Sequence, residues 1–239
     1  MSGHSHWAGI KHRKGINDAK RGKVFTKFGR LITIAARESG GKPDSNFKLK
    51  LAIDQARSVN MPKENIERAI KRGTGELKER TRIEEVLYEA YGPGNVAMLI
   101  KAATDNKNRT LGELKTILAK AGGKLVSSGS VSYLFKQAGN INVAVPEGSD
   151  PYALELKAVD AGAEDTLYAD NTLTVYTEAE DLQKVKEELE KLGFQIESAG
   201  LVYAPVQKTI LEEENKVDYE KLLEMLDENE DIQEIYDNL

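Results

Sequence analysis

The sequence contains no cysteine. This absence excludes disulfides, cysteine-ligated iron–sulfur clusters, thiolate zinc sites and cysteine nucleophiles. No apolar run approaches the roughly 18 to 20 residues that span a bilayer. The polar, basic stretch 1–14 also lacks the apolar centre of a secretory signal. We therefore expect a soluble protein of the cytoplasm with no membrane partner.

Groups that perform catalysis are scarce as well. The histidines are confined to positions 4, 6 and 12, so a serine loop at 127–130 has no histidine to act as its base. Gly73-Thr74-Gly75 lacks the Gly-Lys-Ser/Thr that would complete a phosphate-binding Walker loop. We predict that the protein is not an enzyme and has no cofactor, no metal site and no small-molecule substrate.

Charge is divided unevenly along the chain. The net charge is −5, yet residues 1–82 hold 20 Lys and Arg against 8 Asp and Glu, while the remainder holds 14 against 31. A basic front and an acidic back predict a polyanion-binding module joined to something else. Hydrophobic residues make up 40% of the chain, enough for a buried core.

Residues 16–80 follow helical spacing. Apolar positions cluster on one face of a first helix, interrupted by Gly29, and the pattern recurs in a second helix. Pro62 can open a third helix, which Gly73 and Gly75 would end. The pattern predicts a three-helix bundle, preceded by an arm without periodicity at 1–14.

From residue 83 the pattern changes to alternating strands and helices. Strands at 86–88 and 96–100 flank the hairpin turn Gly92-Pro93-Gly94, followed by a helix at about 109–121 and a strand at about 131–135. Residues 140–204 spell βαββαβ, the ferredoxin-like order.

The last segment offers a helix at 219–226 and a short strand at 232–236, which cannot bury a face alone. We therefore predict an α+β protein of three domains: a helical bundle followed by two α/β sandwich (ferredoxin-like) domains, the third inserted in the second. The predicted boundaries are 1–82 for the basic arm and bundle, 83–135 plus 206–239 for the middle domain, and 136–205 for the insertion.

A basic stripe runs along the first helix. Lys23, Lys27, Arg30 and Arg37 fall within about 80° of one another, opposite the apolar face. Ile34 interrupts the stripe. Residues 1–37 hold nine basic residues and one acidic residue, an imbalance that favours binding to phosphates along a nucleic acid over an ordinary solvated face.

A second candidate anion site lies at 104–110, where a strand meets a helix. Asp105, Asn106 and Thr110 are capping residue types, and Lys107 and Arg109 place positive charge at the helix N-terminus. A well-capped turn explains the same residues equally well. The two interpretations stay open at the level of sequence.

Six stretches resemble the YebC/PmpR family, at 3–14, 18–23, 60–70, 91–94, 104–110 and 161–165. The resemblance runs nearly end to end and implies the same three-domain organisation. The family includes bacterial proteins named as probable transcriptional regulators and a mitochondrial translational activator. Members are described both as DNA-binding regulators and as ribosome-associated factors for proline-rich stretches. Many relatives carry Lys where His6 stands and an aliphatic residue where Gly29 stands.

We expect a nucleic-acid-binding regulator of gene expression, with DNA-binding transcriptional control as the leading class. The alternatives are a ribosome-associated translation factor that binds ribosomal RNA and relieves stalling, and an adaptor that binds only protein. The partner would be DNA or ribosomal RNA, within the ribosome in the second case. The candidate nucleic-acid-binding residues are Lys11, His12, Arg13, Lys14, Lys20, Arg21, Lys23, Lys27, Arg30, Lys107 and Arg109.

Overall fold

The structure is a computed structural model that describes residues 18–77, 82–146 and 148–239, with side chains described from Arg21 onward. Its first part is a bundle of α1 (Asp18–Ser39), a 3₁₀ turn (Pro43–Ser45), α2 (Phe47–Ser58) and α3 (Lys63–Gly73). The predicted three-helix bundle is confirmed.

Local sequence explains where the bundle helices begin and how they pack. The Asn46 side chain accepts a hydrogen bond from the Leu49 N–H at 3.0 Å and caps α2, and Pro62 directly precedes α3. Ile32, Leu49 and Ile66 are buried together between the three helices.

Fourteen elements account for the rest of the described chain. In chain order they are β1 (Glu84–Tyr91), a 3₁₀ turn (Pro93–Asn95), β2 (Ala97–Thr104), α4 (Lys107–Lys120), β3 (Lys124–Val126), a 3₁₀ turn (Ser132–Leu134), β4 (Phe135–Ala144), α5 (Pro151–Asp160), β5 (Asp165–Ala169), β6 (Thr172–Glu178), α6 (Leu182–Lys191), β7 (Gln195–Pro205), α7 (Glu213–Asp227) and β8 (Ile232–Asp237). These form two four-stranded sheets, and none of the described helices is long and apolar enough to cross a membrane.

The first sheet has the strand order β3-β1-β2-β8, with every pairing antiparallel. β1 and β2 pair from Glu84 opposite Thr104 to Tyr91 opposite Ala97. α4 and α7 cover one face, where Leu118 and Leu222 pack with the β2 residues of that face. The C-terminal helix and strand thus complete the sheet that β1 and β2 begin.

The predicted strand at 131–135 is wrong. Ser132–Leu134 is a 3₁₀ turn, Phe135 is the first residue of β4, and the third strand is Lys124–Val126. The physical reason is that the Val131 N–H donates to the buried Glu89 carboxylate at 2.6 Å, so it is not available to a strand ladder.

Residues Lys136–Ala204 form a compact unit of their own. Its sheet has the order β5-β6-β4-β7, in which β6 runs antiparallel to both β4 and β5. Ile141, Leu173 and Leu189 are fully buried. The order βαββαβ and the strand order are those of the predicted ferredoxin-like fold.

Candidate nucleic-acid interface

Helix α1 is buried on two opposite faces. One face packs into the bundle through Ile32. The other carries Ile34, which is only 4% exposed and packs with Ile83 and Ala103, beside the first sheet. The residue that interrupts the basic stripe is therefore the apolar centre of a contact between α1 and the middle domain.

The lysines of the stripe bind the C-terminal end of α7. Lys27 Nζ donates to the Asp227 carbonyl oxygen at 2.8 Å and to its Oδ1 at 3.0 Å. Lys23 Nζ donates to the Glu228 carbonyl oxygen at 3.2 Å. The last carbonyls of a helix lack partners within it, and α7 has no basic residue in its own last turn. The lysines of α1 supply these missing donors.

The arginines of the stripe also bind oxygen atoms of the middle domain, and Arg30 reaches the segment that follows α7. Arg30 Nη1 donates to the Ala103 carbonyl at 3.0 Å, to the Glu230 carbonyl at 2.8 Å and to Asp231 Oδ1. Arg37 donates to the carbonyl of Ile83. The whole stripe is thus directed at the protein's own oxygen atoms.

Asp231 joins the stripe to the middle domain. Its Oδ2 accepts hydrogen bonds from Arg109 Nη2 at 2.8 Å, Thr110 Oγ1 at 2.6 Å and Thr104 Oγ1 at 3.0 Å, while Oδ1 faces Arg30. The residue is 3% exposed. Burial acts to raise the pKa of its carboxyl, but hydrogen bonds from Arg109, Thr110 and Arg30 outweigh burial and lower that pKa.

The 104–110 motif forms a capped turn, and its arginine binds a carboxylate of the same chain. Asn106 caps α4 by accepting a hydrogen bond from the Arg109 N–H at 3.1 Å, as a capped turn requires. An anion is also bound there, and it is the chain's own Asp231. Lys107 pairs with Glu84 at 2.6 Å, and the pair is exposed to solvent. Hydrogen bonding and attraction to Lys107 lower the pKa of Glu84.

Backbone N–H groups in and next to the serine loop at 127–130 donate hydrogen bonds to an internal carboxylate. Glu89 accepts hydrogen bonds from the N–H groups of Gly129 at 2.7 Å, Val131 at 2.6 Å and Ser132 at 3.0 Å. Burial acts to raise the pKa of Glu89, and these backbone donors outweigh it and lower the pKa. The loop is a turn whose amides already have an anionic partner.

Two family models together match nearly the whole chain. The model of the TACO1/YebC protein N-terminal domain matches residues 5–76, and the model of the TACO1/YebC second and third domain matches residues 83–239. The chain belongs to the TACO1/YebC family. The family resemblance inferred from the six stretches is confirmed.

Bacterial relatives are similar to this chain over nearly their full length. The "Probable transcriptional regulatory protein" of Persephonella marina is 49% identical over all of this chain and 95% of its own length, and that of Halothermothrix orenii is 45% identical over all of this chain and 94% of its own. A crystal structure of a conserved hypothetical protein from Aquifex aeolicus has a TM-score of 0.89 at 47% identity, covering 98% of this chain and 96% of that one. Transcriptional regulation, which the names state, is not an enzyme class.

The structure of this TACO1/YebC family member places the candidate binding residues in three groups. Lys11, His12, Arg13 and Lys14 lie outside the described residues, and Lys20 lies in α1 with a side chain that is not described. Arg21 is exposed in the first turn of α1 and also interacts within the chain. Lys23, Lys27, Arg30, Lys107 and Arg109 are engaged within the chain.

Sequence reasoning missed the acidic side of this contact. A run of acids such as 227–231 is typical of solvated surface by its sequence alone, yet the Asp231 side chain is buried. Two features of the sequence pointed to the contact. Acids at a helix C-terminus oppose its dipole and need a compensating cation, and Ile34 stood in the middle of an otherwise basic face.

Proposed function

We propose that this protein is a regulator of gene expression that binds nucleic acid through the basic segment 11–21. The observation that carries the proposal is the distribution of charge around α1. Segment 11–21 has five basic residues and one acid, Asp18. Of the five, Arg21 also interacts within the chain, and the basic residues of α1 from Lys23 to Arg37 contact the chain's own oxygens.

The burial of α1 supports recognition of the backbone rather than of bases. A helix that reads base edges enters the major groove with one face free. α1 has Ile32 buried on one face and Ile34 on the other. Lysine-rich segments bind phosphates, which fix position without reading sequence.

The names of the relatives support transcriptional control and hence DNA as the target. A second candidate function is binding of ribosomal RNA as a translation factor. The burial of α1 on both faces favours this candidate, because a basic segment attached to a structured body can bind a folded RNA without a recognition helix.

The proposal is tested with the triple variant Lys11→Ala, Arg13→Ala, Lys14→Ala. We expect weaker binding to every nucleic-acid sequence, and a plot of log affinity against log salt that is flatter by about 2 units, since each lost phosphate contact contributes about 0.7 to 0.9. The measurements are duplex-DNA binding over a salt series and co-sedimentation with purified ribosomes.

A matched triple variant separates local contact from net charge. Lys42, Lys50 and Lys71 are exposed on the bundle and have no side-chain hydrogen bond or ion pair to any described residue. Changing these three to alanine removes the same charge and should leave the salt slope unchanged. Equal effects of the two triples would contradict binding through segment 11–21.

The same measurements distinguish between DNA and ribosomal RNA as the target. Sequence-selective DNA binding at physiological salt without ribosome association would establish a transcriptional regulator. Ribosome association that depends on segment 11–21, with weak DNA binding that is blind to sequence, would establish the translation factor. Absence of any salt-sensitive nucleic-acid binding would favour the protein-only adaptor.

A further inference from the structure

The C-terminal end of α7 breaks a local rule of helix chemistry. Residues 227–231 contain four carboxylates, on Asp227, Glu228, Glu230 and Asp231, and the last turn of α7 contains no basic residue. Negative charge at a helix C-terminus faces the negative end of the helix dipole and is unfavourable. The contact with α1 supplies the compensating positive charge from a distant part of the chain.

This contact resembles the way a basic helix binds a nucleic-acid backbone. Lys23, Lys27 and Arg30 lie on one face of α1, and each donates to oxygen atoms of segment 227–231. The Lys27 side chain retains 12% of its exposure. While segment 227–231 is in place, Lys27 and Arg30 are largely covered, and the Lys23 ammonium is held at the Glu228 carbonyl although its side chain stays exposed.

The contact is built so that it can open without leaving a buried charge unpaired. Three of the side chains that hydrogen-bond the Asp231 carboxylate, those of Arg109, Thr110 and Thr104, belong to the middle domain and would stay with it. Separation of α1 removes Arg30 alone from that set. The apolar centre is small, with Ile34, Ile83 and Ala103.

We propose that the acidic segment 227–231 is an internal competitor for nucleic-acid phosphate. In the closed state shown by the structure it occupies Lys23, Lys27 and Arg30. In an open state Lys23, Lys27 and Arg30 are available to bind phosphate. This inference rests on the proposed function, since it adds a regulated group of cations to the proposed nucleic-acid binding.

The test uses an opening variant, Asp227→Asn, Glu228→Gln with Ile34→Ala, which weakens the contact and leaves Asp231 and all basic residues unchanged. Asp227 and Glu228 are exposed, and Ile34 lies outside the bundle core, so the bundle should stay folded. The control is Asp218→Asn, Glu220→Gln, which removes two exposed charges from α7 away from the contact.

Binding of a 20-nucleotide single-stranded RNA over a salt series is the first readout. We expect the opening variant to bind more tightly at low salt than the wild type does. Its slope of log affinity against log salt should be steeper by about 2 units, because up to three cations become available at about 0.7 each. The control should match the wild type. An opening variant with wild-type affinity and slope would overturn the inference.

A second readout does not depend on nucleic acid. Because the chain lacks cysteine, Ser58→Cys in α2 and Lys115→Cys in α4 give two unique labelling positions, both exposed. The distance between the labels should increase in the opening variant, and in the wild type on addition of inorganic polyphosphate. An unchanged distance in both cases would overturn the inference even if segment 11–21 binds RNA. If no protein bound either the RNA or duplex DNA, while the label distance still increased in the opening variant, the proposed function would be refuted instead.

Discussion

Asp231 is the residue on which the contact between the bundle and the middle domain converges. It is 3% exposed and receives hydrogen bonds from Arg30 on one side and from Arg109, Thr110 and Thr104 on the other. A buried carboxylate is costly unless it is paired, and removal of its charge leaves its cationic partners unpaired. Asp231 is therefore structural, and its effect on stability depends on pH.

Substitution Asp231→Asn should lower the free energy of unfolding at pH 7 by about 3 kcal/mol, the usual cost of breaking a buried ion pair. The folded-state pKa of Asp231 is lowered, so its stabilisation is present above the ordinary aspartate pKa of about 4 and is lost as pH falls through the lower folded value. Urea unfolding of both proteins from pH 2.5 to 7 measures this difference.

The difference in stability between wild type and Asp231→Asn should shrink in acid below about pH 4. The control Asp218→Asn removes an exposed pair with Lys221, 3.2 Å apart, and should change stability by less than about 1 kcal/mol. A gap between wild type and Asp231→Asn that stayed constant across the whole pH range would show that the lost charge is not what destabilises the variant.

At the scale of secondary-structure elements, helices α1 and α3 approach each other closely at Gly73. A Cβ on Gly73 would lie 2.4 Å from the Thr33 carbonyl oxygen and 2.7 Å from Ala36 Cβ. Thr33 Oγ1 donates to the Ala69 carbonyl at 3.1 Å across the same contact. Glycine is required at position 73 because the backbone of α1 occupies the space of a side chain.

Substitution Gly73→Ala should destabilise the protein by about 1 to 3 kcal/mol, the usual cost of overpacking a tight contact. Gly29→Ala is the matched control within α1. Its Cβ would lie 3.8 Å from Met61 Cε, an ordinary contact, and alanine favours helix by about 1 kcal/mol over glycine. Thermal unfolding measures both.

We expect the two glycine variants to move the melting temperature in opposite directions. Two upward shifts of equal size would show that helix propensity, rather than space, decides at position 73. The structure also shows that Gly29 does not end the first helix, since α1 continues to Ser39.

At the scale of the whole molecule, the inserted unit enters and leaves the middle domain at neighbouring points. The Val206 N–H donates to the Leu134 carbonyl at 2.8 Å. The unit at Lys136–Ala204 has its own sheet and its own buried residues, among them Ile141 and Leu173. A short connection can therefore replace it without stretching the chain.

Replacement of residues 136–204 by a linker of about four glycine and serine residues should leave the middle sheet folded, since hairpin connections of two to five residues are common. Circular dichroism and cooperative unfolding of the shortened protein, and of residues 135–205 expressed alone, measure this independence. Loss of cooperative unfolding in both fragments would contradict the predicted domain division.

Local patterns in the sequence predicted the elements well. The apolar spacing of α1 and α2, the Gly92-Pro93-Gly94 turn between β1 and β2, and the βαββαβ order depend on neighbours within a few positions. The strand expected at 131–135 failed because Glu89, some forty residues away, binds the backbone of that loop. A pattern that spans a few neighbouring residues cannot predict a hydrogen-bond partner so far away in the sequence.

In the candidate site, the difference between what local sequence predicts and what distant contacts decide is larger. The sequence by itself determined the family, through its motifs, and the sign and periodicity of the charge on α1. Only the tertiary structure decided what that charge binds, since Lys27 meets Asp227 across 200 positions and Arg30 meets Asp231 across 201. A pattern records that a face is basic, but the partner of a charge is set by which surfaces folding brings together, and here it brings the acidic end of α7 onto the basic face of α1.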